Sequence, residues 1–101
     1  MLIELHYICR HQECWRKLDG NEFETGNWTC AEELASQAIG GRIYLHEHRS
    51  DPAWHGGTIT NWRSAPEAPG KLVFTYVVEG PFRIVCRHGW GQERAVIRRE
   101  T

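Results

Sequence analysis

The chain has 101 residues, 41% of them hydrophobic and 25% charged, with a formal net charge of −1. That length suits one domain (residues 1–101) with one core, and the composition is not that of a disordered segment. The near-neutral balance argues against a general electrostatic clamp on nucleic acid, and no apolar run approaches the roughly 20 residues that span a bilayer.

In chain order, Leu2–Ile8 is β-branched and aromatic-rich and predicts a first strand. Because Met1–Tyr7 alternates and carries Glu4 and His6, it does not read as a signal peptide, and a cytoplasmic location is expected. Residues 9–27 are polar, with Gly20, Asn21, Gly26 and Asn27 as turn signals and with Trp15 and Phe23 pinning the stretch to the body. Thr29 followed by Glu32 predicts a capping box, and Ala31, Leu34, Ala35 and Ala38 then share a helical face that Gly40 and Gly41 terminate.

Arg42–His48 predicts a second strand, with Ile43 and Leu45 on one side and Tyr44, His46 and His48 on the other. Glu47 would fall on the Leu45 side, which predicts a bulge or strand end there. After a loop from Asp51 and Pro52, Gly56-Gly57 leads into a strand over Thr58–Arg63. Lys71–Val78 is apolar on both faces and reads as a central strand. Gly80-Pro81 breaks it, and Phe82–Arg87 resumes extended structure. For Arg94–Arg99 an edge strand and a short helix stay open. This order predicts an α+β fold: a small curled β-sheet or β-barrel of five to six strands with one short helix.

Four cysteines without a secretory signal read as reduced thiols, and Cys86 as a small core residue. Cys9, His11 and Cys14 form one metal-like cluster, and His46, His48 and His55 another. Neither has the paired Cys-x-x-Cys spacing of a zinc site, so neither a metal nor a cofactor is assigned.

The stretch Trp28-Thr29-Cys30-Ala31, then Gly40-Gly41-Arg42-Ile43-Tyr44-Leu45-His46-Glu47, then Gly56-Gly57-Thr58-Ile59-Thr60-Asn61-Trp62 resembles the PUA-like superfamily, in particular its EVE- and ASCH-type domains. The shared pattern is a Trp before a helix, a Gly-rich turn, a Gly-x-Ile-Tyr-Leu strand, a loop and a Gly-x-Ile strand, over about residues 28–63. The resemblance implies a barrel whose cleft accepts a nucleobase, nucleotide or modified nucleic acid, RNA among them. The Gly-x-Lys-x-x-Glu-x-Arg signature of ASCH domains is missing, which weighs against a nuclease activity borrowed from them.

Five tryptophans in so short a chain supply stacking faces, and bases stack on such faces for about 1–3 kcal/mol each. The leading expectation is therefore a binding module in which Trp28, Trp54 and Trp62 stack on a base. Tyr44, His46, His48 and Arg49 would add contacts within the cleft. The basic end of the chain supplies Arg94, Arg98 and Arg99 for phosphate. A small nuclease or hydrolase using His46 and Glu47 is the alternative, although no phosphate loop or nucleophile elbow accompanies them. A protein-interaction domain with an exposed Trp surface is a third reading, and a homodimer paired through an edge strand fits any of the three.

Overall fold

A computed structural model describes residues 2–9, 15–26, 28–66, 68–91 and 94–99. Its elements are β1 (Leu2–Ile8), β2 (Trp15–Asp19), β3 (Glu22–Thr25), β4 (Trp28–Thr29), α1 (Glu32–Ala38), β5 (Arg42–His46), β6 (His55–Ser64), β7 (Lys71–Val77) and β8 (Arg94–Arg99). All the strands belong to one mixed sheet in the order β2-β3-β7-β6-β5-β1-β8, with β4 also pairing β7. The sheet is open between β2 and β8, so the barrel expectation is corrected, and eight strands replace the expected five to six.

The extra strands come from the polar stretch before the helix. β2 and β3 form a hairpin through Gly20, whose φ of 54° suits the turn. Arg16, Lys17, Asp19 and Glu22 hide its strand character, because an exposed hairpin arm has little apolar alternation to show. β7 is central as expected, flanked by β6 on one side and by β3 and β4 on the other. β1 and β5 run parallel, joined by a crossover that contains α1, and pair Leu5 with Ile43 and Tyr7 with Leu45.

The core lies on one side of β1 and β5. Ile3, Leu5, Tyr7, Ile43 and Leu45 meet Ala35 and Ala38 of α1 there, together with Ile59, Leu72, Phe74 and Tyr76. The small helical residues let the backbones approach closely, and Gly41 does the same beside β1. A Cβ on Gly41 would stand 2.1 Å from the Ile3 carbonyl oxygen. Gly40, at φ 88°, turns the chain out of the helix as its sequence position predicts.

Three local expectations change. Thr29 does not cap α1: its backbone pairs with Lys71 as part of β4, and Ala31 is the N-cap without a side-chain hydrogen bond. Residues 82–87 are irregular rather than a strand. Arg42 holds the preceding turn by donating to the carbonyls of Glu79 (2.6 Å) and Pro81 (2.8 Å), and Ile84 N–H turns back onto the Phe82 carbonyl. Cys9, at the end of β1, is disulfide-bonded, whereas Cys30 and Cys86 are free thiols. Residues His11, Cys14 and Asn27 lie outside the described residues. Arg94–Arg99 settles as an edge strand, and no described helix is long and apolar enough to cross a membrane.

Candidate functional site

With alternate residues of β1 and β5 committed to the core, the remaining ones face the other side of the sheet. These are Glu4 and His6 on β1 and Tyr44 and His46 on β5, brought together because His6 pairs with Tyr44 and Ile8 with His46. β8 continues the face, with Ile97 opposite Glu4 and Ala95 opposite His6. The irregular segment 82–90 crosses above it. Gly56, opposite Tyr44 on β6, makes room: a Cβ there would meet the Tyr44 ring and Phe82.

Four polar side chains run in a line across this face, ending on a backbone carbonyl. His46 Nδ1 lies 2.9 Å from the Asp51 carbonyl oxygen, and His46 Nε2 lies 2.8 Å from His6 Nδ1. His6 Nε2 faces Glu4 Oε1 at 3.5 Å, and Glu4 Oε2 accepts from Arg99 Nε at 2.7 Å. Both imidazoles are sealed from solvent, with 1% and 0% of their surface exposed. Tyr44 stacks on His6 with centroids 4.8 Å apart, and Trp90 presents its ring edge-on to both imidazoles. Trp90 is itself anchored by donating Nε1–H to the Cys86 carbonyl at 2.8 Å.

Burial removes water that would solvate an imidazolium, so it lowers the proton affinity of His6, and nearby His46 lowers it further against the pull of Glu4. Burial likewise lowers that of His46, opposed by the Asp51 carbonyl. The rings are neutral at pH 7. Burial raises the Cys86 thiol, whose S–H points at the His88 carbonyl 3.2 Å away, so it is not an activated nucleophile.

Beside the line lies a cavity of about 350 Å³. Ile84, Val85 and Ile97 form its apolar walls, Glu4, His6 and Arg99 its polar side, and Cys86, Arg87 and His88 the remainder.

No protein-family model, curated protein or solved structure matches the chain. The site is therefore read from its own chemistry.

Of the residues expected at a site, Tyr44 and His46 form the buried side of this one, and Arg99 lines its cavity. The expected stacking tryptophans go elsewhere. Trp28 stacks on Tyr7 with centroids 4.3 Å apart; Trp54 donates Nε1–H to the Cys9 carbonyl and packs against Trp15 and His55; Trp62 donates to Ser36 Oγ. All five tryptophan rings are partly buried. His48 is exposed beyond the end of β5, and the Arg49 guanidinium reaches the Gly91 carbonyl. On β8, Arg94 and Arg98 alternate with Arg99 and so take the opposite face, where Arg94 donates to the Thr29 carbonyl at 3.0 Å.

The histidines do not gather either. His55 hydrogen-bonds Tyr76 Oη at 2.6 Å among Trp15, Phe23 and Phe82, away from the His46 pair. Among the described residues no group of three His, Cys, Asp or Glu is placed to hold a metal. Glu47 follows His46 just past the end of β5, so of the bulge and the strand end expected there the structure has the strand end, and β5 stops two residues short of the expected His48.

Glu4, His6, Arg87 and Trp90 were missed as site residues. Glu4 and His6 did carry a signal: two polar residues two apart in an otherwise apolar strand must share a face. Nothing in the sequence paired that face with His46.

Proposed function

We propose that this protein binds a small ligand of the nucleotide class in the cavity between β1, β8 and residues 84–88. One observation carries the reading. Within a single cavity, hydrogen-bond acceptors (Glu4, His6) and guanidinium groups (Arg87, Arg99) stand around aliphatic walls (Ile84, Val85, Ile97). Ligand sites combine apolar walls with a few convergent polar groups, and the volume lies at the small end of their range. A planar heterocycle suits the aliphatic walls, its polar edge suits Glu4 and His6, and a phosphate suits exposed Arg87.

The resemblance over residues 28–63 implies the same ligand class, and the local order there runs Trp28, helix, Gly turn, β5, loop, β6. This reading keeps that class and moves the site from the tryptophans to Glu4 and His6. The net charge of −1 favours a mononucleotide over a long nucleic acid.

Amide chemical-shift mapping with the four ribonucleoside monophosphates tests it. Saturable shifts centred on Glu4, His6, Val85 and Ile97 are expected. No saturable response, or shifts confined to the surroundings of Trp54 and Trp62, overturns it.

Catalysis has one specific observation in its favour: His6 lines the cavity while His46 holds its Nδ1. In that case His6 is the base and His46 positions it, in place of the expected His46 and Glu47. Turnover of a nucleotide ester that follows His6 with pH and disappears in His6→Gln would establish it.

A further inference from the structure

The hydrogen-bond directions in the histidine line decide which atoms of the cavity accept. The Asp51 carbonyl oxygen can only accept, so His46 Nδ1 carries its proton. Neutral His46 then has a lone pair on Nε2, and His6 Nδ1 must donate into it across 2.8 Å. Neutral His6 is left with a lone pair on Nε2, and that atom faces Glu4 Oε1 at 3.5 Å. Glu4 Oε2 is taken by Arg99. Two acceptors therefore stand side by side at the cavity wall, and no described residue donates between them. His6 is buried and lines the cavity, so a donor that satisfies this pair comes from a molecule in the cavity.

From this pairing, and resting on the nucleotide reading above, we propose that the cavity selects a guanine base, whose two adjacent N–H donors complete the acceptor pair of Glu4 and His6. Guanine offers N1–H beside the N2 amino group. Adenine and cytosine each place a ring acceptor next to their amino group, which would meet a second acceptor here. Uracil has one N–H between two carbonyls and repels the pair on both sides. Ile97 and Ile84 bound the heterocycle, and Arg87 receives the phosphate.

Calorimetric titration of the unmodified protein with GMP, IMP and AMP at pH 7.5 tests the selection. GMP is expected to bind at least about tenfold more tightly than AMP, the discrimination of a good two-point base contact. IMP, which keeps N1–H and lacks the amino group, is expected between them. AMP binding as tightly as GMP overturns the guanine selection and leaves the nucleotide reading standing. No binding by any of the three overturns the nucleotide reading itself. In Glu4→Gln, which replaces one acceptor oxygen by an amide, the GMP-to-AMP ratio is expected to collapse toward one. Retention of the full ratio in that folded variant also overturns the selection, and the comparison on the unmodified protein stands without it.

Discussion

His6 Nδ1 and His46 Nε2 approach to 2.8 Å across 40 positions of sequence, with both rings out of contact with water. The pair exists because two parallel strands place alternate residues on one face and a chain segment with no regular structure closes over them. It sets the tautomer of each ring. Its cost and its consequences are measurable.

Replacing His46 by Leu keeps much of the volume and leaves the His6 N–H and the Asp51 carbonyl without partners. A loss of about 1–3 kcal/mol is expected in urea unfolding, chiefly from the buried His6 N–H left unmatched. A loss below about 0.5 kcal/mol would mean that the hydrogen bonds contribute nothing net.

Stability is expected to fall as pH drops from 6.5 toward about 4. The native pKa of His6 is lowered from 6.5 to about 4 by burial and by His46, and burial lowers those of His46 and His55 as well. Through this window the unfolded chain binds more protons than the folded one, so the folded state loses ground as protons are added. Glu24, held low by Arg63 and Arg16, adds a loss in the same direction only below its ordinary value of 4.5. Thermal unfolding between pH 7 and 5 therefore isolates the histidines. A flat Tm over that interval would contradict their burial as neutral rings.

Gly41→Ala is expected to cost about 2–3 kcal/mol, because the new methyl collides with the backbone carbonyl of Ile3. Gly70→Ala has open space around it and only a positive φ of 81° to contend with, at about 1 kcal/mol. Comparable losses at the two positions would refute the close approach.

Arg42→Ala removes donors to the Glu79 and Pro81 carbonyls and to Thr58 Oγ1. A modest stability loss of about 1–2 kcal/mol is expected, with faster amide exchange concentrated in residues 82–88. Uniformly faster exchange through the sheet would show that Arg42 supports the whole fold rather than the cavity wall.

Trp54→Ala separates the cavity from the tryptophan cleft implied by the family resemblance. Trp54 packs against Trp15 and His55 and holds the Cys9 carbonyl, so its loss is expected to destabilise by about 2–3 kcal/mol. Nucleotide affinity is expected to stay unchanged. Lost binding with stability intact would return the site to the tryptophans.

The elements with a local pattern can be read from the residues alone. β1, β5 and β7 are legible because their apolar residues alternate or run continuously, and the helix end is legible because glycine alone turns out of a helix so readily. Even the two faces of β5 were readable, with Tyr44 and His46 opposite Ile43 and Leu45. The β2–β3 hairpin was not, since its exposed arm β2 carries charges that a loop would also carry and buried β3 is only four residues long. Thr29 looked like a helix cap until pairing with β7 claimed its backbone. Only the tertiary structure decided that His6 meets His46, that Arg99 parts from Arg94 and Arg98, and that three tryptophans serve three separate contacts. The register between strands far apart in sequence makes those choices, and it is set by the packing of whole faces, which no single segment encodes.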